Sequence, residues 1–508
     1  MLGMVMSDYG LMGSVVPVMV FAGLSVIVMG VFGSWRPTGF PPGPKPLPFI
    51  GNLKDISKED TPLWLLMVEM GKVYGDIFSI KLGTKWYVVL NSYEVIHEGL
   101  ADPSLALANR PHYFSTDIFS EDYRDLAYTD YSPTWVLHRE YALNCFRQVS
   151  SNKQLDISAN KQFTDYVEPF LKQGGPSDGV ALGQLMAMGT VVTWCFGPEN
   201  EKLHRELVDI VSVGLSINLV GRRMPADIFP FLKHFPLSSN SVVKDIVGEF
   251  MQILTTEFVR RRDVYNEEDE LTDLCGALIR AQKAVGNEEK YEFLTDVHVV
   301  QVIASSFRGA IGYLTTTYWG LALLAEYPDI QAKVAKEVGE VLGNERVPSL
   351  DDRDAMPYTN AFVSELLRFG SVAPLGVPRS AREDTKLKDF DIPKDTVILY
   401  NIYGVHFDEE NYIKPEEFNP ERFLGEDGSF KRPEKFIPFG MGVRSCLGEF
   451  QADSFLFLTF CRLLQGYQLS KIDGEGVEEG GASLLSQDPV VQGSRWPMPF
   501  KVRVTKNE

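Results

Sequence analysis

The hydrophobic pattern divides the chain into an uncharged leader, a proline-dense joint and a long helix-rich body. No charged residue occurs between Asp8 and Arg36, and Leu11 to Phe32 is a run of 22 residues dominated by Leu, Val, Met, Ile, Phe, Ala and Gly. As a helix this run would span roughly 33 Å, enough to cross a bilayer core. Pro17 is tolerated in such a helix. A cleaved signal peptide would have a basic start and a shorter apolar stretch, so the run predicts an anchor. Arg36 and Lys45 follow it, which places the remainder of the chain in the cytoplasm. Phe40 to Pro46 is too rich in proline for helix, and predicts a stiff extended hinge holding the body off the membrane. The expected organisation is an anchor over 1–36, a hinge over 37–48 and one domain over 49–508.

Asp76 to Leu90 alternates apolar and polar residues around Gly83-Thr84, the pattern of a hairpin. From Ser92 to Tyr327 the periodicity is mainly helical, broken at Pro133, at Gly174-Gly175-Pro176 and over Pro225 to Pro236. That last segment suits either a cap on a substrate channel or a buried loop. Thr295 to Tyr327 reads as one long helix stopped by Pro328. Strands are expected around Thr396–Asn401 and near the carboxyl end, and a helix over Phe450 to Leu464. The fold class expected is mainly α with small β-sheets, preceded by one transmembrane helix.

Composition narrows the chemistry. At 508 residues and 44% hydrophobic content the chain can bury a large core, and 49 basic against 68 acidic residues give a net charge of −19. An acidic surface of that size excludes nucleic acid as a partner. The cysteines, Cys145, Cys195, Cys275, Cys446 and Cys461, are odd in number and widely scattered. They form neither a disulfide framework nor a zinc motif, and fit a reducing compartment. Four read as small buried hydrophobes. Cys446 does not.

Phe436 to Gly448 reads FIPFGMGVRSCLG, just before the Phe450 helix. Gly440, Gly442 and Gly448 let the backbone turn tightly against a flat ligand. At a helix start, free N–H groups and the dipole would lower the Cys446 pKa and favour its thiolate. Arg444 is placed to pair with a carboxylate of the ligand.

This loop resembles the haem loop of the cytochrome P450 family, F-x-x-G-x-R-x-C-x-G, through Phe439, Gly442, Arg444, Cys446 and Gly448. The resemblance implies the P450 fold and haem b with Cys446 as its axial iron ligand. It extends to Glu365 and Arg368 (the E-x-x-R pair) and to Arg422 within Phe418-Asn419-Pro420-Glu421-Arg422-Phe423, implying a structural network of these three behind the haem. It also implies that Trp135, Arg139 and Arg379 contact haem propionates.

The distal helix departs from the family. Aligned on Trp319 and Pro328, the usual A-G-x-[DE]-T-T falls on Arg308 to Tyr313, with Ile311 in place of the acid and Gly312 in place of the threonine. That pair delivers protons during oxygen activation. Thr315, Thr316 and Thr317 lie about 4.5 Å or more further along the axis and read as packing residues. Phe307 to Gly312 resembles the F-N-x-x-G-G segment of the allene oxide synthase, hydroperoxide lyase and epoxyalcohol synthase group, matching at Phe307 and Gly312.

The reading preferred from the sequence is therefore a P450 that rearranges fatty-acid hydroperoxides without O₂ or reductase, forming epoxyalcohols or scission products. Cys446, Gly312 and Arg308 are its catalytic candidates. Arg308 either binds the hydroperoxide or lipid carboxylate, or simply pairs with an acid in the core. The alternative is a monooxygenase of steroids, fatty acids or xenobiotics served by NADPH–P450 reductase, with Lys431, Arg432 and Lys435 as part of a docking patch. A third is a non-catalytic haem sensor. All three imply a lipophilic ligand and, with the anchor, a single pass through the endoplasmic reticulum membrane with the catalytic domain in the cytosol.

Overall fold

The computed structural model describes residues 35–507 except 58–60, 152, 199–200, 217–223, 236–237, 287, 344 and 473–492. The expected anchor, apart from its last residues Trp35 and Arg36, lies outside the described residues. The proline-rich segment is docked on the body. Phe40 is buried, the Ser79 hydroxyl donates to the Pro41 carbonyl at 2.7 Å, and Arg36 donates to the Pro44 carbonyl at 2.9 Å.

Helices dominate, as the periodicity predicts. The central helix spans Asp296–Glu326, and Pro328 begins the next helix, where its missing N–H costs nothing. The central helix lies along Gly179–Phe196. This second helix is, among the described residues, the one helix long and apolar enough to cross a membrane, but 78% of it is buried inside the protein. It is a core helix, capped by Asp178, which accepts the Ala181 N–H at 2.9 Å.

The hairpin forms from Ile77–Leu82 and Lys85–Leu90, with Leu82 opposite Lys85 across the Gly83-Thr84 turn. Lys85–Leu90 pairs in parallel with Val397–Tyr400, which pairs antiparallel with Arg379–Ser380. Tyr467–Ser470 and Lys501–Lys506 supply the expected carboxyl-terminal strands, joined by Pro176–Asp178. Sheet order thus places Arg379 one strand away from the hairpin, on the far side of Val397–Tyr400. The predicted helix after the cysteine spans Glu449–Gly466.

Pro225 to Pro236 folds as a short helix, Pro225–Ile228, and a 3-10 turn, Pro230–His234, with Pro236 outside the described residues. Asp227 ties it to Ser115 at 2.8 Å, while Phe231 and Phe235 stay exposed. An outward-facing cap describes this segment better than a buried loop.

Candidate active site

Two buried networks surround the cysteine loop. In the first, Arg368 donates to both Glu365 oxygens at 2.6 and 2.8 Å and to the His406 carbonyl at 2.8 Å. Arg422 approaches Glu365 at 3.4 Å, and the Asn419 N–H donates to Glu365 at 2.8 Å. The structure brings together all three residues of the expected network. His406 was missed from sequence because nothing in its own segment marks it. Its Nε2 accepts the Ile437 N–H at 3.1 Å, so its Nδ1 carries the proton and donates to Ser371 at 2.9 Å. This ring couples the Glu365–Arg368 pair to the cysteine loop. Burial, then the Arg368 guanidinium, pull His406 down to about 3.

The second network is a cluster of guanidiniums. Arg444 donates to the carbonyls of Ala108 at 2.9 Å and Thr129 at 2.7 Å, and stacks 3.7 Å over the Trp135 ring. Arg139 donates to the Ser445 carbonyl at 2.8 Å, and Arg379 to Met441 at 3.3 Å. Arg110, not recognised in the sequence, joins them through the carbonyls of Val377 and Pro378 at 2.6 and 2.7 Å. Burial and the neighbouring Arg110 and Arg379 pull Arg444 down to about 8, and burial with Arg379 pulls Arg110 to about 9. An arginine keeps its proton across this range. Burial is the larger cause, and repulsion among the guanidiniums adds to it.

The acids acting on these two arginines are engaged elsewhere: Asp130 with the Arg110 N–H and His112, Asp125 with its own loop and Arg308. The Nε atoms of Arg110 and Arg379 are buried without a hydrogen-bond partner. Buried polar groups rarely remain so unless a ligand satisfies them. A dianion bearing two carboxylates fits this donor set, as haem b would through its propionates. Trp135 gives its indole N–H to the Leu126 carbonyl at 3.0 Å and is the platform on which Arg444 stacks.

Cys446 lies in the loop between the short 3-10 turn Gly442–Arg444 and the helix from Glu449. Its N–H donates to the Phe439 carbonyl at 3.0 Å, which closes the loop. Gly442 has φ +72°, and a Cβ there would sit 1.9 Å from the Leu100 carbonyl oxygen, so only glycine fits. Cys446 is exposed, whereas the other four cysteines are buried as expected. Desolvation by the surrounding protein pushes the thiol up, while the Gly448 N–H and Arg139 oppose it. A metal ion bound there would favour the thiolate. Haem iron bound there would gain electron density from the sulfur, which favours O–O cleavage.

The central helix presents an open strip in an otherwise buried stretch. Ser305 and Gly312 are half-buried and Gly309 is exposed, one to two turns apart on one face. A Cβ at Gly309 would meet nothing within 4 Å, and one at Gly312 only Val372 Cγ2 at 3.9 Å. Gly320 on the same helix is different, because a Cβ there would lie 2.2 Å from Phe460 Cζ. Packing explains Gly320 and leaves Gly309 and Gly312 free to admit a ligand. Thr315 and Thr316 donate to the carbonyls of Ile311 and Gly312 at 2.8 Å, so both hydroxyls are committed to the helix. Tyr313 bonds Thr459 at 2.6 Å and stacks on Phe455, fixing this strip to the cysteine helix.

Arg308 is held by the protein. It lies 3.4 Å from fully buried Asp125 and donates to Gln301 at 3.0 Å and Ser305 at 2.8 Å. These contacts favour the core pairing over a direct grip on a ligand. Of the three basic residues before the loop, Arg432 pairs with Asp453 and Lys435 with Glu94, while Lys431 is exposed.

Comparison with known proteins agrees with this geometry. The family model described as Cytochrome P450 matches residues 41–488. Steroid 17-alpha-hydroxylase/17,20 lyase from Oryzias latipes is 32% identical over 482 residues, covering 90% of each chain. The protein of the same name from Squalus acanthias is 30% identical, again over 90% of each. Cytochrome P450 2U1 from Mus musculus is 29% identical, covering 93% of this chain and 91% of its own. These relatives carry the names of steroid hydroxylases and of cytochrome P450 2U1, not of the hydroperoxide-rearranging group that Phe307–Gly312 resembles.

Proposed function

This chain belongs to the cytochrome P450 family, and from that premise we propose that it is a reductase-dependent monooxygenase of lipophilic substrates, with steroids first among them. The observation that carries this reading is the near-full-length similarity to two steroid 17-alpha-hydroxylase/17,20 lyases. Cys446 would hold the haem iron, and Arg110, Arg139, Arg379 and Arg444 its propionates. The substrate would lie against the strip formed by Gly309 and Gly312. Leu11 to Phe32 would anchor the protein in the endoplasmic reticulum membrane, with exposed Phe231 and Phe235 as a further apolar contact.

One observation favours a second reading, the rearrangement of fatty-acid hydroperoxides. Ile311 and Gly312 supply neither acid nor hydroxyl, and Thr315 and Thr316 donate their hydroxyls to the helix backbone. A substrate that brings its own O–O bond has no need of a proton relay.

A paired assay separates the two. Purified holoenzyme is given a linoleate hydroperoxide without NADPH, and separately a steroid panel with NADPH and P450 reductase. NADPH-dependent oxygen incorporation into a steroid, with the conjugated diene untouched, supports the monooxygenase. Rapid diene loss without reductant sinks it in favour of rearrangement. Ligand binding with neither reaction points to a haem sensor.

A further inference from the structure

Three hydroxyls on the central helix are spent on its own backbone. Ser306 donates to the Val302 carbonyl at 3.1 Å, and Thr315 and Thr316 donate to the carbonyls four residues before them. Ser305 differs. Its Oγ accepts an N–H from Arg308 Nη2 at 2.8 Å, and its own proton has no acceptor among the described residues. Ser305 shares a face with Gly309 and Gly312, one and two turns further on, where the helix surface is open. Its O–H therefore borders the strip on which a ligand would rest. Arg308 fixes this geometry, being tied in turn to the Phe119 carbonyl at 3.2 Å and to Gln301 at 3.0 Å. The strip itself is held against the helix after Cys446 by the Tyr313 bond to Thr459.

The charges around this hydroxyl select the kind of oxygen it can receive. One guanidinium, that of Arg308, answers two carboxylates. Fully buried Asp125 lies 3.4 Å from it. Glu121 accepts the Gln301 amide at 3.1 Å, and the Gln301 amide oxygen in turn accepts from Arg308. A ligand carboxylate would add a third negative charge to a partly buried place that holds one cation, which is costly. A neutral acceptor such as a ketone meets no such penalty. A hydroxyl already polarised by a guanidinium is also a better donor to it than an isolated one.

We propose that Ser305, positioned by Arg308, is a specificity residue that donates its hydroxyl proton to a neutral carbonyl oxygen of the lipophilic substrate. Gly312 lies seven residues further on, roughly 10 Å along the axis. The carbonyl is thus held at one end of the strip. The part of the ligand beside Gly312, where the family's oxygen-activating pair would stand, is left for reaction. This inference rests on the lipophilic substrate of the proposed function and adds to it the oxygen which that substrate must carry.

The test titrates the full-length ferric holoenzyme with matched ligands and reads Kd from the Soret shift, so no turnover is needed. The pairs are progesterone against its carbonyl-free hydrocarbon pregnene, and methyl undecyl ketone against tridecane, with linoleate as the carboxylate. Ser305→Ala is expected to weaken ketone binding about fivefold, equivalent to about 1 kcal/mol, and to leave the hydrocarbons unchanged. Ser305→Thr, which keeps the hydroxyl, should restore the ketone preference. Asp125→Asn should tighten linoleate binding by removing one of the two carboxylates. That change loosens a buried pair and risks the fold, so Ser305→Ala, checked by a normal reduced-CO spectrum, decides alone if it fails. Unchanged ketone binding in Ser305→Ala would overturn the proposal, and so would an equal loss for ketone and hydrocarbon. A loss confined to linoleate would overturn it too, by showing that the site takes an anion. Discrimination of the methyl ketone pair without any steroid binding would support this site while sinking steroids as the substrate.

Discussion

His406 accepts the Ile437 N–H through Nε2, and this single bond ties the Glu365–Arg368 pair to the loop that carries Cys446. Protonating Nε2 would break it. Because the folded pKa is depressed to about 3 from 6.5, the unfolded chain binds the proton more readily. The stabilisation is complete above pH 6.5 and is lost as pH falls towards 3, at about 1.4 kcal/mol per unit for this one group. His138, held down to about 4 by burial and His298, adds the same sign. Thermal melts of the holoenzyme at pH 7 and pH 5 should show the loss, and His406→Phe should flatten but not abolish it.

Arg379 offers the clearest test of the cradle, since its bond to the Met441 carbonyl is long and it keeps a buried Nε without a partner. Arg379→Leu should weaken haem retention by about 1.5–3 kcal/mol, the worth of a charge-assisted hydrogen bond. It should leave the haem-free protein as stable as before or more so, because it removes a repelling charge from three others. Transfer of haem to apomyoglobin measures the first effect, and melts of haem-free protein the second.

Gly312→Thr restores the hydroxyl that the family usually has, and the space for it exists. The variant should fold normally, whereas Gly320→Ala should cost about 1–3 kcal/mol through its clash with Phe460. Under the monooxygenase reading, Gly312→Thr raises the fraction of NADPH recovered as oxygenated product. Unchanged or lower coupling, with slower turnover of a hydroperoxide, would favour rearrangement.

Glu365→Gln should be the most damaging conservative change in the chain. It strips the charge from a fully buried partner of Arg368 and Arg422, a loss of about 3–5 kcal/mol. The expected result is little soluble protein that holds haem, scored by the reduced-CO spectrum of the expressed material.

Local features were legible in the sequence. The hairpin at Gly83-Thr84, the central helix ending at Pro328 and the cysteine loop each rest on residues within one turn or one strand of one another. Arg110 and His406 were not legible, because their partners, Pro378 and Ile437 among them, lie 268 and 31 residues away. The fate of Arg308 depended on Asp125, 183 residues distant, which no periodicity announces.

The cradle's four guanidiniums come from four separate stretches of chain: the loop at Arg110, the helix Pro133–Ser151, the strand at Arg379 and the cysteine loop. Closing them on one another without an anion sets like charges face to face, so haem bound there would relieve the repulsion and add to the stability of the fold. The prosthetic group would then act as a structural member of the fold, and its supply would raise the yield. In a cell short of haem, synthesis of more chain would give more aggregate and proteolytic fragments rather than more enzyme.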